Sequence, residues 1–469
     1  MNTKLETQTF ERKVTGAERF FSHAPFATVT MVARIKGQVT EEMLKTAVEK
    51  VQKLHALLRV RVKDSQDGDI WFTSQGVQEI PIEVVPRKTE NDWIAVHAEG
   101  CKVPYDFENR PAIRFILVQS ESVSELIILC HHMICDGMSL AYLARDLMVY
   151  LGDTEAEAQV MAAPEPISLE NIPSDVAPSG LIKYFINKIK EKWAAEYVSF
   201  DQQDYEALNK AYWDNFTHEI LSVELSEAET SELVARCRQE NVTVNTALIT
   251  AFLGAQKAVM GEKPYHAKTA VAVSLRDRLP TSPGEGMGYY ALGIELKYKY
   301  NAKKSFWENA RKYHKKIGTN ISNKKAFGNL VSYLAMDSNI YEALSFKKIG
   351  KFVKTDTPRY QKLTDFANRE DVVVRLLQRA KMESFDSKLL GPAITNLGRL
   401  DFPKQYGNLE LDRLIMQPGG AFPLVHVDMV IGVVTAVGKL SLVIEYAEEA
   451  VDTPTMKKVK EKAMELLLK

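Results

Sequence analysis

One short segment in the first third of the chain constrains the fold more than any other. Residues 126–130 are five consecutive apolar residues, which is typical of a strand buried on both faces. His131 and His132 follow at once, and Asp136 and Gly137 come shortly after them. Apolar residues then recur at helical spacing, which predicts a helix beginning near the glycine. Polar groups at the mouth of a buried strand cost free energy unless each has a partner, so this turn is a candidate functional site.

Two chemical interpretations of this turn compete with a purely structural one, a core histidine pair with a capping aspartate. Adjacent strand residues face opposite sides, so His131 and His132 cannot readily bind one metal ion. His132 and Asp136 supply two ligands at most, and we therefore predict no metal site. Cys135 has no base near it in the sequence, which argues against a thiolate nucleophile.

Length and composition bound the remaining choices. The 469 residues exceed what one core usually organises, so we expect two domains or one split fold with two lobes. A formal charge of -1 gives no indication of a nucleic-acid partner. The N-terminus is polar and residues 429–437 are too short an apolar stretch for a membrane span, so we expect a cytoplasmic protein. The four cysteines contain no CxxC pair, which argues against a disulfide framework or a zinc ribbon.

Helix and strand signals alternate along the chain. The pattern predicts helices capped by Thr40, Ser226 and Thr243, and a final helix with Thr453 as its cap. It predicts strands over residues 57–62, 112–119, 125–132, 266–274 and 440–446. This interleaving is typical of an α/β or α+β class with mixed sheets. The proline-rich stretch 153–180 interrupts it, and we interpret that stretch as the crossover between two lobes.

The full pattern HHxxxDG, at residues 131–137, is specific. Its four fixed positions arise by chance in on the order of one chain per thousand of this length. At these residues the sequence resembles the CoA-dependent acyltransferase superfamily, which includes chloramphenicol acetyltransferase, condensation domains of nonribosomal peptide synthetases and free-standing acyltransferases. The resemblance covers nearly the whole chain. Its further segments are Gly37 with Leu44 and Ala47, residues 54–59, 110–114, 274–280, 288–290 and 395–398.

The resemblance implies a fold and a set of roles. The fold is α/β, with two chloramphenicol-acetyltransferase-like lobes (residues 1–175 and 176–469), mixed sheets flanked by helices, and an active-site tunnel between the lobes. His132 would be the general base, because the second histidine of the pair holds that role in the family. The Gly137 amide would assist the oxyanion, or the glycine would only permit the tight turn. Asp136 would orient the loop by pairing with Arg276 of the second lobe, and His131 would face away into the core.

The resemblance also implies substrates and partners. We expect no tightly bound cofactor, acyl-CoA or acyl-phosphopantetheine as co-substrate, a small-molecule acceptor and a monomeric chain. An acyl carrier protein is an alternative donor. A DFGWG-like segment, which condensation domains and plant acyltransferases carry, is not matched near residues 417–423. That departure favours the ester-forming branch, and amide-forming condensation or a non-catalytic binding relative remains the alternative.

Two basic segments and one histidine have less specific interpretations. The run 297–316 holds eight basic residues and one acid, Glu308. We interpret it first as a solvated helix face, and second as a contact for CoA phosphates or an acidic carrier. The amphipathic segment 181–193 is expected to dock on the protein's own core, the alternative being a membrane surface. His55 lies at a predicted helix end and is expected to be structural.

Overall fold

The computed structural model describes residues 9–64, 68–176, 178–380, 390–419 and 427–468. The strands in these ranges are β1 Glu11–Lys13, β2 Thr28–Lys36, β3 Arg61–Asp64, β4 Ile70–Thr73, β5 Ile82–Pro86, β6 Ile113–Gln119, β7 Val123–His131, β8 His218–Glu224, β9 Lys268–Ser274, β10 Ala291–Lys297, β11 Leu390–Leu400, β12 Gln405–Tyr406, β13 Leu409–Gln417, β14 Val427–Ala436 and β15 Lys439–Ala447. The helices are α1 Gly16–Arg19, α2 Glu41–Leu54, α3 Asp92–Lys102, α4 Gly137–Gly152, α5 Gly180–Glu196, α6 Gln202–Asn215, α7 Glu227–Gln239, α8 Val244–Met260, α9 Phe306–Gly318, α10 Asn323–Ala335, α11 Asn339–Ile349, α12 Tyr360–Asn368, α13 Val372–Ala380 and α14 Thr453–Leu468.

Two six-stranded sheets organise the molecule. The first has the order β12-β13-β2-β7-β6-β5, and the second has the order β10-β9-β11-β14-β15-β8. Both are mixed, since β5 is parallel to β6 and β11 is parallel to β9 and β14, while the other pairs are antiparallel. A small sheet of β1, β4 and β3 lies beside them. The predicted class, a two-lobed α/β fold with mixed sheets flanked by helices, is confirmed.

Each large sheet packs against its own helices. In the first lobe, Leu44 of α2 and Leu147 of α4 join a core with the strand residue Met31. In the second lobe, Phe252 of α8 and Val459 of α14 form a separate core with the central strands. The lobes exchange chain, because β12 and β13 follow the predicted boundary at residues 175 and 176 yet complete the first sheet through β2. The boundary itself stays a prediction.

Most predicted elements are present, with two local corrections. The Thr40 hydroxyl accepts a hydrogen bond from the Met43 N–H, and α2 begins where the cap predicts. The expected strand at 57–62 is wrong over its first half, since Ala56–Arg59 is a 3-10 turn and β3 begins at Arg61. The final helix starts at Thr453 itself, because the Asp452 side chain accepts from the Thr455 N–H and provides the cap.

The proline-rich crossover has the irregular structure that its composition predicts. Between α4 and α5 the described residues contain no strand and no α-helix, only a 3-10 turn at Ser174–Val176. The segment contacts the second lobe, since the Tyr290 hydroxyl donates to the Glu165 carbonyl. It therefore carries the chain from the first sheet to the second.

The amphipathic segment 181–193 forms α5, but it docks on the core only in part. Ile186 and Trp193 are buried, and the Trp193 indole N–H donates to Asn339. Leu181 and Phe185 remain 67% and 57% exposed, so the expected docking on the core is confirmed for only part of the apolar face. The periodicity identifies the apolar face correctly, but α10 and α13 contact only part of the helix. No described helix is long and apolar enough to cross a membrane.

Candidate active site

His132 lies at the carboxyl end of β7 and lines a cavity between the two lobes. Its backbone N–H donates to the Ala27 carbonyl over 2.7 Å, which fixes the residue just beyond the last strand position. The cavity has a volume of about 240 Å³. Phe21 and Gly137 line it from the first lobe, and small and apolar residues of the second sheet, such as Ala270, face them. The turn singled out from the sequence is therefore open to an inter-lobe space.

The ring of His132 is held by one hydrogen bond and two aromatic contacts. Its Nδ1 lies 2.8 Å from the carbonyl oxygen of Cys135. A carbonyl only accepts, so Nδ1 carries the proton and the lone pair of the neutral ring is on Nε2. The ring stacks on Phe21 with centroids 4.3 Å apart, and Tyr289 meets it edge-on at 5.1 Å. These contacts fix the orientation of the imidazole.

The surroundings of His132 lower its pKa below the usual value. Desolvation by the neighbouring apolar groups is the main cause, since it disfavours the charged ring. The hydrogen bond to the Cys135 carbonyl and the charge of Asp136 oppose the shift and limit it. The neutral ring is therefore the main form at pH 7.

His131 points to the opposite side of the strand end and is fully buried. Its Nε2 faces the Ala24 carbonyl at 3.4 Å, and its Nδ1 accepts from the Met133 N–H at 3.4 Å. This pattern gives the Nε2–H tautomer. Desolvation lowers the pKa of His131 to about 3, so this ring is neutral throughout the physiological range.

Asp136 and Arg276 lie together across the lobe interface. Nη2 of Arg276 is 3.0 Å from Oδ1 of Asp136, and both side chains are buried. The other carboxylate oxygen accepts from the backbone N–H of Tyr290 at 3.1 Å. Asp136 also caps α4, because its Oδ1 accepts from the Ser139 N–H at 2.7 Å. One carboxylate thus joins the motif turn, the start of α4 and the second lobe.

Arg276 extends this connection further into the second lobe. Its Nη1 donates to the carbonyls of Gly284 and Gly286 at 2.8 and 2.9 Å. Its Nη2 donates to the Ser139 hydroxyl, which in turn donates to the Gly288 carbonyl. The pairing expected for Asp136 is present, and it belongs to a larger buried network.

Gly137 lies at the first position of α4 and lines the cavity. A Cβ at this position would come within 2.8 Å of Cδ2 of Leu397, which belongs to the segment 395–398 of the second lobe. Close packing across the interface is therefore one reason for glycine here. The N–H groups of a helix's first turn have no intrahelical acceptor, so this end of α4 also favours negative charge near the cavity.

Sequence reasoning missed the side chains that flank His132. It assigned no role to Phe21 or Tyr289, and only the position of Tyr289 beside the quoted glycine of 288–290 was a signal. It also gave no role to Ser139, although a serine three residues after Asp136 is a capping-box pattern. His55 is buried, with its Nε2 3.0 Å from Asp146 in the first lobe, away from the cavity lining.

Two other chemistries find little support at this turn. Burial raises the pKa of the Cys135 thiol well above its ordinary value, so a thiolate is disfavoured. Across the described ranges, with their gaps, no three histidine, cysteine or carboxylate residues are grouped as metal ligands. The segment that would correspond to DFGWG falls partly at residues 420–426, which lie outside the described ranges.

Part of the chain matches a known family model and a set of curated relatives. Residues 16–166 match the family model described as Condensation domain. Nonribosomal peptide synthetase agiA of Aspergillus flavus is 22% identical over 258 residues, which are 52% of this chain and 3% of that protein. The chain thus spans only a few per cent of the length of such curated relatives.

Solved structures match the chain over almost its full length. The TRI3 trichothecene 15-O-acetyltransferase of Fusarium sporotrichioides has a TM-score of 0.65 and 12% identity, and the match covers 98% of this chain and 95% of that one. The epimerization domain from the third module of tyrocidine synthetase B has a TM-score of 0.60 and 12% identity, with coverage of 98% and 96%. The chain therefore has the fold of the CoA-dependent acyltransferase superfamily, and the resemblance seen in the sequence is confirmed.

Proposed function

We propose that this chain transfers an acyl group from a thioester to a hydroxyl or amine acceptor, with His132 as the general base. The observation that carries the proposal is the tautomer of this ring. Its Nδ1–H donates to the Cys135 carbonyl, which leaves the Nε2 lone pair for a substrate in the inter-lobe cavity. The lowered pKa favours the neutral ring, and a neutral imidazole can accept a proton at pH 7.

The reaction needs one proton carrier and no enzyme nucleophile. The acceptor oxygen or nitrogen attacks the thioester carbonyl carbon while its proton passes to Nε2 of His132. The tetrahedral intermediate then re-forms the carbonyl and breaks the carbon–sulfur bond, and the departing sulfur takes the proton back from Nε2. The ring returns to its starting state. A general base of this kind typically accelerates a reaction by ~10²–10⁴-fold.

The oxyanion of that intermediate would form beside the start of α4. Gly137 lines the cavity there, and its backbone N–H belongs to the first turn, where the helix dipole favours negative charge. Asp136 and Arg276 act as positioning residues. Their ion pair holds the turn against the second lobe, and so it holds the His132 ring over the cavity.

The cavity lining suits an acyl chain and its activated ester. Phe20, Phe26 and Ile394 are among its apolar residues, and excluding water from a thioester suppresses its hydrolysis. We propose acyl-CoA or acyl-phosphopantetheine as co-substrate, a small-molecule acceptor, no tightly bound cofactor and a monomeric chain.

A second candidate is amide-forming condensation on carrier-bound substrates. It is favoured by the match of residues 16–166 to the Condensation domain model and by the similarity to nonribosomal peptide synthetases. The two candidates share the His132 chemistry and differ in donor and acceptor.

A thiol-release assay over a panel of acyl-CoA thioesters, each with alcohols and amines, tests the proposal. We expect release that depends on the acceptor in the parent chain and in a His314→Ala control, whose imidazole lies on α9 away from the cavity lining. The His132→Ala variant should release thiol at ~10²–10⁴-fold lower rate. Release only from carrier-bound thioesters would favour the second candidate. No release from either donor would indicate a non-catalytic relative.

A further inference from the structure

The beginning of α5 projects from the surface of the molecule. Every residue from 179 to 185 is exposed, and a Cβ added at Gly180 would meet nothing within 4 Å. The large apolar side chains exposed in this stretch are Leu181, Ile182, Tyr184 and Phe185. We call these four side chains the apolar tip. Single exposed apolar residues are ordinary, but a contiguous group of them marks an interaction site.

The core of the protein packs against a different side of α5. Ile186 and Trp193 are buried and lie about two helical turns apart, on one line along the helix. At 100° per residue, Leu181 and Phe185 lie on average about 110° away from that buried line. The helix therefore has two apolar faces, of which one packs against the protein and the other faces outward.

Two lysines continue the outward face beyond the apolar tip. The residues on this line are Leu181, Phe185, Lys188 and Lys192. Their spacing is i, i+4, i+7 and i+11, so their side chains lie on one side of the helix. Nζ of Lys188 is 4.8 Å from the centre of the Tyr184 ring, which places this cation beside an aromatic member of the tip. At 1.5 Å per residue the line is about 16 Å long, apolar where it starts and cationic where it ends.

The charge around the apolar tip is positive. Residues 180–190 hold three lysines and no acidic residue. The acids of α5 come later, at Glu191 and Glu196, and Glu196 pairs with Arg375 of α13 at 3.3 Å. Within the described ranges, no carboxylate forms an ion pair with a lysine of α5. These lysines can therefore meet an anionic partner without first breaking an ion pair.

An anionic bilayer fits this pattern better than a protein partner does. A stable protein interface engages roughly 20–30 residues on each side, whereas the apolar tip has four side chains at one end of a helix. A bilayer needs no matching shape. Its interface accepts leucine and phenylalanine below the headgroups, tyrosine at their level and lysine beside the lipid phosphates. The outward side of α5 presents all of these groups.

We infer that α5 docks this chain on the surface of an anionic membrane. The apolar tip enters the headgroup region, and Lys188 and Lys192 contact lipid phosphates on the same side of the helix. Each lysine near an anionic surface contributes about fivefold in affinity, so the two together contribute about 25-fold. The inference goes beyond the proposed function and is independent of it, because lipid binding needs no turnover.

Cosedimentation of the whole chain with lipid vesicles tests the inference. The probes are vesicles of phosphatidylcholine alone and vesicles in which roughly one lipid in four is phosphatidylserine. We expect the parent chain to bind the phosphatidylserine vesicles about 10-fold or more tightly than the neutral vesicles. Added salt should weaken that binding, because it screens the lysines from the lipid charge.

Two double variants separate the apolar contribution from the electrostatic one. The Leu181→Asp, Phe185→Asp variant should weaken binding to both kinds of vesicle by about 10-fold or more, because neither side chain can then enter the interface. The Lys188→Glu, Lys192→Glu variant should lower affinity for phosphatidylserine vesicles by about 25-fold or more and leave affinity for neutral vesicles unchanged. All four residues are exposed, so both variants should keep the parental melting temperature.

Each variant has a matched control elsewhere on the surface. The Lys457→Glu, Lys458→Glu variant makes the same change in net charge at two exposed lysines of α14. The Val103→Asp, Val149→Asp variant makes the same kind of change at two exposed apolar residues of the first lobe. We expect both controls to bind phosphatidylserine vesicles within about twofold of the parent chain.

Three results would overturn the inference. One is a parent chain that binds neither kind of vesicle, which is also the outcome expected if the apolar tip holds a protein partner. Another is equal binding to neutral and phosphatidylserine vesicles. The third is binding that the α5 variants weaken no more than their controls do, which would place the lipid contact on another surface. Loss of thiol release with this vesicle binding intact would count against the proposed function alone.

Discussion

The two imidazoles at the end of β7 are neighbours in sequence but lie in opposite surroundings. His131 is sealed among Tyr105 and Phe107, with both ring nitrogens in contact with backbone groups. His132 lines the inter-lobe cavity, with only Nδ1 bound to a carbonyl. The pair consequently adopts opposite tautomers, Nε2–H for the first ring and Nδ1–H for the second. The alternation of side chains at the strand end thus places a buried ring and a ring that borders the cavity at consecutive positions.

The largest expected effect is on activity, and it distinguishes His132 from His131. His132→Ala should lower kcat/KM by ~10²–10⁴-fold with acyl thioester and acceptor, while the melting temperature changes little, because the ring borders a cavity. Steady-state kinetics and calorimetry on the same preparation check both parts. A His132→Ala variant that keeps parental kcat/KM would remove the base assignment.

Asp136→Asn should act on stability through the lobe interface. Asparagine retains cap acceptors but loses the charge that faces buried Arg276, and leaving one partner of a buried pair uncompensated costs about 3 kcal/mol. Denaturant unfolding is the measurement. Asp153→Asn, at the other end of α4, is the control and should change stability by less than about 0.5 kcal/mol. Equal effects of the two substitutions would mean that the ion pair does not join the lobes.

Replacement of the buried His131 ring should lower the free energy of unfolding by an amount similar to that expected for Asp136→Asn. His131→Ala leaves a cavity in the core and two backbone groups without their partner, at a cost of about 2–3 kcal/mol. Residual turnover in the folded fraction should exceed that of His132→Ala. If the His131→Ala variant is as stable as the parent chain, His131 does not have the structural role that distinguishes it from His132.

The two rings should also differ in pH dependence. The unfolded chain protonates His131 near pH ~6.5, whereas the native ring resists protonation until about pH 3. Stability is therefore full above the unfolded pKa and falls by up to about 1.4 kcal/mol per pH unit as the pH decreases below it. The His131→Ala variant should show a shallower decrease. A slope equal to that of the parent chain would contradict the assignment.

Protonation of His132 at low pH should likewise lower kcat/KM, because the charged ring cannot accept a proton. Because its pKa is lowered, log kcat/KM should stay level from pH 8 down to the ordinary imidazole pKa of ~6.5 and fall only below it. A rate that already falls at pH 7.5 would indicate a ring with a raised pKa.

The smallest expected effect is at Gly137. An alanine Cβ would approach Cδ2 of Leu397 to 2.8 Å, and this flexible side chain can move aside at a cost of about 1 kcal/mol. The change in unfolding free energy can be read against Gly180→Ala, where a Cβ would meet nothing within 4 Å. Equal changes in unfolding free energy for Gly137→Ala and Gly180→Ala would mean that close packing does not require glycine at position 137.

The sequence predicts best what is local. The buried strand, the turn and the α4 start all follow from one segment of about 16 residues, and the caps at Thr40 and Asp136 follow from single side chains. Arg276 could be predicted as the partner of Asp136 only because the resemblance includes a second motif, at residues 274–280. Local periodicity and family motifs therefore account for the elements and for the polar centre of the site.

Non-local packing accounts for what the sequence does not predict. Strands β12 and β13 join the first sheet through pairing with β2, far away in the chain. Phe21 and Tyr289 reach His132 from separate lobes, and no spacing rule connects them. The apolar face of α5 was identified, but which part of it a neighbour covers depends on where α10 and α13 lie. These contacts join residues that are distant in the chain, and no local pattern specifies them.

The most direct test of this account is the tautomeric state of the two rings in the intact protein. Long-range ¹H–¹⁵N correlation spectra of chain labelled with ¹⁵N-histidine, recorded at pH 7 and assigned with the His131→Ala and His132→Ala variants, report which ring nitrogens carry protons. We predict Nδ1–H with an unprotonated Nε2 for His132, and the reverse for His131. A charged His132, or one protonated at Nε2, would leave no base facing the cavity and would contradict the account.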